Sequence, residues 1–194
     1  MISNVLNILQ RWCQPLGEIL PEQYIALRNS VSPATLTLNT QDGKAIAVYK
    51  QGGETKRTKI TGLPATVTIP SDAGQNMYIY AKEFLTLTAN EAKVISVRSE
   101  TITQIECDAP IEQIDARGCT NLQNILFSSL LLNNLYLIYA HAKTQLIHDD
   151  IIDLCQASTY GGQKRLYLYP DDAYYSQTKT DAQNEGWVVF DLPI

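Results

Sequence analysis

The sequence has no apolar run approaching the roughly 18–20 residues that a membrane-spanning helix needs. Charge is also scarce: 18% of residues are charged, and acids outnumber bases to give a net −5. That balance argues against nucleic-acid phosphate as a partner, because such binding is driven by Lys and Arg. There are two histidines and four cysteines, with no C-x-x-C pair among Cys13, Cys107, Cys119 and Cys155. A zinc site needs closely spaced Cys and His ligands. The wide spacing reads instead as reduced cysteines buried as small hydrophobes. The start, Met1-Ile2-Ser3-Asn4, carries no Lys or Arg, and Asn7, Gln10 and Arg11 interrupt its apolar stretch. A secretory signal wants the opposite pattern, so the expectation is a chain made and folded in a cytoplasm.

Catalytic signatures are missing as well. No Gly-x-Ser-x-Gly elbow is present, and Gly161-Gly162 lacks the Lys-Ser/Thr of a phosphate loop, so it reads as a tight turn. His148-Asp149-Asp150 could bind metal or pass protons. Asp149 or Asp150 is equally a natural N-cap for a helix beginning near Ile151, and Asp171-Asp172 reads likewise as a helix start. Capping is the favoured reading for both pairs. The expectation is therefore no catalytic, cofactor-binding or metal-ligating set.

What is present is 45% apolar residues, sufficient for a packed core. Val5, Ile8, Leu9 and Trp12 recur at helical spacing, predicting an amphipathic helix over residues 3–13. Ser3 would cap it, and Pro15 and Gly17 would end it. A second short helix is expected over residues 21–28, with Pro in its first turn. The first helix either packs on the chain's own core or serves docking and homo-oligomerisation. Its polar face is not basic enough for a membrane surface.

From Pro33 the period changes to two. Thr35-Leu36-Thr37-Leu38 alternates, an Asp42-Gly43 turn signal follows, and Ala45 to Lys50 reads as the return strand. Ala65 to Ile69 and Met77 to Tyr80 alternate again, predicting a small antiparallel β region over 33–80. Lys56, Arg57 and Lys59 read as a solvated strand or loop rather than a phosphate grip.

Beyond Phe84 apolar residues recur with a period. Leu85, Ile95, Ile105, Ile114, Ile125 and Ile138 stand 10, 10, 9, 11 and 13 residues apart. A short strand plus a turn takes about this many residues, and stacked units of this kind build a solenoid. Ile114-Asp115-Ala116-Arg117-Gly118-Cys119-Thr120-Asn121-Leu122-Gln123-Asn124-Ile125 resembles the unit of degenerate leucine-rich repeat proteins of gut Bacteroidota and their bacteriophages. Ile102 to Cys107 is similar to the paired half-repeat, giving a repeat of about 21 residues. Residues 149–189 hold a short helix from Asp150 to Cys155, Gly161-Gly162, a strand from Arg165 to Tyr169, a helix over 173–185, and Gly186-Trp187-Val188-Val189. That order is similar to the end-unit of the same proteins and would cap an open solenoid edge.

The resemblance, over about residues 77–192, implies an α/β fold: a short leucine-rich-repeat-like β-solenoid with an α/β C-terminal cap. A small antiparallel β region and the N-terminal amphipathic helix would precede it. The expected division is 1–30, 31–82 and 83–194. The implied function is a non-enzymatic structural or interaction protein, most concretely a bacteriophage virion component such as a fibre, decoration or tail-associated subunit. A bacterial protein-binding module and a carbohydrate-binding protein are the alternatives. Eleven tyrosines, among them Tyr136, Tyr139, Tyr160, Tyr167, Tyr169, Tyr174 and Tyr175, suit strand packing or a protein interface. The expected partners are proteins, including further copies of the chain, and neither nucleic acid nor membrane.

Overall fold

The computed structural model describes residues 23–193, apart from residue 109. The amphipathic helix expected over 3–13, oligomerisation through it, and Cys13 all fall outside the described residues. The remainder of the expected fold class is corrected. Among the described residues the protein is mostly β, 45% strand and 14% helical, built on two mixed sheets rather than as an α/β solenoid with a cap.

The strands are β1 (Gln23–Asn29), β2 (Ala34–Thr40), β3 (Lys44–Gln51), β4 (Glu54–Thr61), β5 (Ala65–Ile69), β6 (Asn76–Ala81), β7 (Phe84–Ala89) and β8 (Ala92–Arg98). They continue as β9 (Gln104–Cys107), β10 (Gln113–Asp115), β11 (Asn124–Leu126) and β12 (Leu137–Ala140). Helix α1 (Gln145–Ala157), β13 (Arg165–Leu168), helix α2 (Tyr175–Asn184) and β14 (Val188–Asp191) complete the order. One sheet has nine strands in the order β14-β13-β12-β10-β8-β1-β6-β3-β4; the other has five, β11-β9-β7-β2-β5.

The sequence period from Phe84 onward has a specific structural meaning. Strands β7 to β12 alternate between the two sheets, so units about ten residues apart are not neighbours in one ladder. Parallel pairing aligns Ile95, Ile114, Ile138, Leu166 and Val189 in the larger sheet. It aligns Leu87, Ile105 and Ile125 in the smaller one. These parallel runs do not stand alone: β1 pairs antiparallel with β8, and β2 pairs antiparallel with β7. The alternating strands upstream offer the same half-buried surface as the later ones. They therefore pair laterally onto β8 and β7, and two mixed sheets result. Between β8 and β12 the connecting pieces are strands and turns, not helices, and this removes the α/β character expected of the repeat.

The inner faces of both sheets share one buried cluster that runs from Ile25 to Trp187. Ile25, Leu38, Phe84, Ile105, Ile114, Ile138 and Leu166 are wholly inaccessible. The helix expected over 21–28 is corrected to strand for its described part. Ile25, Leu27 and Asn29 of β1 are buried and alternate with half-buried neighbours. Pairing on both sides, to β6 and β8, outweighs any helical preference of so short a segment. The Asp42-Gly43 turn forms, with Gly43 at φ +69°. It does not close a two-strand ladder, because β2 joins the five-stranded sheet and β3 the nine-stranded one.

Helix α1 begins earlier than expected. Its N-cap is Thr144, whose side chain accepts from the Ile147 N–H at 3.3 Å, so neither Asp149 nor Asp150 caps it. Ile147, Ile151, Leu154 and Cys155 form its buried stripe. Helix α2 starts at Tyr175, after Asp171-Asp172 rather than on them, and Tyr174 at its N-cap makes no side-chain capping bond. Its end is a Schellman turn. Gly186, at φ +78°, donates to the Gln183 carbonyl at 3.0 Å, and the Trp187 N–H donates to the Ala182 carbonyl at 3.0 Å. This turn delivers Trp187 into the core, where its indole N–H donates to the Cys155 carbonyl at 3.2 Å. Among the described residues, no helix is long and apolar enough to cross a membrane.

Gly118, within the segment that resembles a repeat unit, passes close over the end of β8. An added Cβ would sit 3.0 Å from the Arg98 Cα and 3.3 Å from the Val97 carbonyl oxygen. The same approach lets the Cys119 thiol donate to that carbonyl at 3.7 Å. Gly118→Ala should therefore lower stability by about 1–3 kcal/mol through overpacking, read from the midpoint of urea unfolding. An unchanged midpoint would show that β8 yields freely here.

Candidate functional site

Side chains of a strand alternate between its faces, so the residue after each inward position points outward. The inward column Ile95, Ile114, Ile138, Leu166, Val189 thus dictates an outward column: Ser96, Asp115, Tyr139, Tyr167, Phe190. The rings of Tyr139 and Tyr167 stack with centroids 4.4 Å apart, and those of Tyr167 and Phe190 with centroids 4.9 Å apart. These distances match the spacing of neighbouring strands, about 4.8 Å. Parallel in-register pairing therefore places the rings one over another without further adjustment. Burial raises the Tyr139 hydroxyl above its ordinary value, with the neighbouring Tyr167 adding to the shift.

The column is anchored at one end by charge. The Arg117 guanidinium lies 4.3 Å over the Tyr139 ring, a cation–π contact. Asp115 receives Arg98 at 3.1 Å through two nitrogens and Arg117 at 2.9 and 2.7 Å. Burial alone would push the Asp115 carboxyl up, but hydrogen bonds and charge from the two guanidiniums outweigh it and hold the carboxyl below its usual range. A second stack runs alongside. His141 lies on Tyr169 with centroids 4.0 Å apart. Its Nδ1 faces both Asp172 oxygens, at 3.1 and 3.2 Å, while its Nε2 faces the Arg117 carbonyl at 3.2 Å.

At the other end the column stops at β14, the last strand of the nine-stranded sheet. Val188 is 39% exposed and Phe190 37%. The N–H groups of Val188 and, beyond the strand's end, Leu192 donate to β13-side carbonyls, those of Lys164 and Leu168, at 2.9 and 2.7 Å. Alternate residues of a strand bond to the same side, so Val189 and Asp191 direct their backbone groups to the open edge. Asp191 is fixed by the Tyr175 hydroxyl and by Lys179 at 3.3 Å, and both hold its carboxyl below its ordinary value.

The sequence-derived candidates disperse. His148 points into the core, and Thr178 already donates to the Tyr174 carbonyl at 2.8 Å. The His148 Nδ1 lies 2.9 Å from Thr178 Oγ1, and its Nε2 lies 3.2 Å from the Gln177 amide, 3.5 Å from Asp181 and 3.9 Å from Asp149. Asp149 is taken by Gln145 at 2.6 Å, and Asp150 accepts the Ile125 N–H at 2.7 Å. Asp172 accepts the Ala142 N–H at 2.8 Å. Among the described residues, no group of three His, Cys, Asp or Glu is placed to hold a metal ion. Cys107, Cys119 and Cys155 are buried free thiols, and burial pushes Cys107 and Cys119 up to about 12. Of the tyrosines singled out, Tyr139 and Tyr167 join the column, while Tyr136 packs on Tyr160 elsewhere, with centroids 5.2 Å apart. The sequence reading missed Phe190, Arg98 and Arg117. The signal for Phe190 was its place directly after an inward aliphatic, as in Ile138-Tyr139 and Leu166-Tyr167.

The column is engaged mostly within itself. Its rings spend their flat faces on one another, its carboxylates are already paired, and one terminal ring meets an open strand edge. Compared with family models, curated proteins and solved structures, the chain matches none.

Asp115 carries the electrostatics of the column. Its carboxyl is depressed in the fold, so it contributes stability above the ordinary carboxylate range and loses it as pH falls through the lowered value. Asp115→Asn should cost about 2–4 kcal/mol at neutral pH, by leaving two guanidiniums unpaired. The gap from the parent chain should close as pH falls below the ordinary carboxylate range and through the lowered value. Urea titrations across pH measure this, and a gap independent of pH would remove the ion-pair account.

Proposed function

We propose that this chain is a non-enzymatic interaction protein that assembles by strand addition at β14, with a second copy of the chain as the first occupant. One observation carries the reading: the two edges of the nine-stranded sheet are built oppositely. The β4 edge bears Glu54, Lys56, Arg57 and Lys59, the charged composition that discourages edge pairing. The β14 edge reads Val-Val-Phe-Asp, with Val188 and Phe190 exposed and no lysine in the strand.

A second β14, paired antiparallel about a two-fold axis, satisfies the outward backbone groups of both copies. Centred on Phe190, such a pair sets each Asp191 across from a Val189 of the other copy and avoids opposed carboxylates. The two Phe190 rings then meet and join their columns. A strand from a different protein with alternating apolar and aromatic residues fits by the same chemistry. Placement in a bacteriophage particle, as a fibre, decoration or tail-associated subunit, is the narrower form of this proposal. It draws on the sequence resemblance rather than on this edge.

Sedimentation over a concentration series tests the assembly. The parent chain should shift from monomer to dimer mass. Val189→Pro removes an outward N–H without touching a β13 bond, and Phe190→Ser removes the terminal ring. Each should weaken the dimer at least tenfold while leaving the circular dichroism spectrum unchanged. A parent chain that stays monomeric at millimolar concentration would overturn the self-assembly reading.

A further inference from the structure

The outward face of the larger sheet carries a second apolar cluster, separate from the main core and distant from β14. Val48 and Tyr80 are only 4% exposed although they point away from the main core, and Tyr24, Ile46 and Tyr78 pack against them. Their strand neighbours Ile25, Ala47 and Ile79 face the opposite way, into the core. Register brings the five together: Tyr24 and Ile46 both lie beside Tyr80, and Val48 lies beside Tyr78. The Tyr24 ring meets those of Tyr78 and Tyr80, with centroids 6.4 and 6.1 Å apart. An open cleft of about 400 Å³ continues the patch, bordered by Asp42, Lys44, Ile46, Lys59, Tyr80 and Lys82. A solvent-facing antiparallel sheet ordinarily alternates to polar residues on its outer side. Tyr24, Ile46, Val48, Tyr78 and Tyr80 break that alternation, which marks a face built to be covered.

We propose that residues 1–22 of the same chain cover it, meeting the patch with the stripe Val5, Ile8, Leu9 and Trp12. Three observations select this occupant over a second copy or a foreign protein. Strand β1 begins at Gln23, and Tyr24 already belongs to the patch, so the segment is tethered one residue from its target. Such a tether gives an effective concentration on the order of millimolar. Length fits as well. A helix over residues 3–13 would be about 16 Å long, and the four adjacent strands β1, β6, β3 and β4 span about 14 Å. Charge fits third. Lys44, Lys59 and Lys82 outnumber Asp42 around the cleft, and the segment carries Glu18 and Glu22 against Arg11. The inference is independent of strand addition at β14.

Cys13 supplies the test. Cys107, Cys119 and Cys155 are buried, so a thiol-reactive nitroxide added to the folded full chain goes to Cys13. Amide resonances of Tyr24, Val48 and Tyr80 should lose more than half their intensity, while those of Leu126 and Phe190 keep theirs, unchanged on tenfold dilution. A second attachment point, Asn7→Cys in a Cys13→Ser chain, sets the label on the polar side of the stripe. It covers the case in which the first label displaces the segment. Patch broadening from either position supports the proposal. Absence from both overturns it. So does patch broadening in a mixture of isotope-labelled chains without nitroxide and unlabelled chains with it, which would assign the cover to a second copy.

Discussion

The structure depends on register in a set of parallel strands. Burying a side chain such as Ile or Leu contributes about 1.5–3 kcal/mol, whereas an aromatic stack adds about 0.5–1.5 kcal/mol. The inward column Ile95, Ile114, Ile138 and Leu166, all wholly buried, therefore decides how the strands align. The outward column follows from it. A slip of one residue would turn the aliphatics to solvent and the tyrosines inward. The stack of Tyr139, Tyr167 and Phe190 is thus a product of core packing.

That hierarchy explains what could be read from the chain alone. The inward positions from Ile95 to Ile138 stand out by spacing, and the tail's helix, strand, helix and Gly-Trp order is plain. The assignment of successive units to two different sheets is not, because inward–outward alternation looks the same in either sheet. Nor is the placement of β1 between β8 and β6, since its partners lie far along the chain and its few apolar residues suit a helix or a strand equally. The site was half legible. Tyr139 and Tyr167 drew attention through the abundance of tyrosine. The ion pairs at Asp115 were hidden because Arg98 is brought beside it only by the pairing of β8 and β10.

Acidic residues show a further regularity. In an acid-rich chain, pairs of carboxylates invite catalytic or capping readings. Here several of them accept from backbone N–H groups at a strand edge or in the connections between strands. Asp150 takes Ile125, Asp172 takes Ala142, Asp108 takes Ser129 at 2.8 Å, and Asp72 takes Gly52 and Gly53 at 3.0 and 3.1 Å. Short strands joined by irregular turns leave many N–H groups without ladder partners, and a buried donor left unpaired costs about 1–3 kcal/mol. Carboxylates committed in this way hold the turns in place, which in turn keeps the parallel strands in register.

The same accounting distinguishes the two ends of the nine-stranded sheet. Every other strand of that sheet has a hydrogen-bonded neighbour on each side. At β4 the strand carries the exposed charges Glu54, Lys56 and Lys59, which discourage pairing with another strand. At β14 the only charge in the strand, Asp191, is already held by Tyr175 and Lys179 from α2, so it does not defend the edge. Had the fold needed only to terminate, Lys at 188 or 190 would have sufficed, at no cost to the inner face that Val189 helps to line. Instead those outward positions are valine and phenylalanine, and phenylalanine continues a ring column whose next member can come only from another strand. The edge and the column end at the same residue, so one partner strand satisfies both.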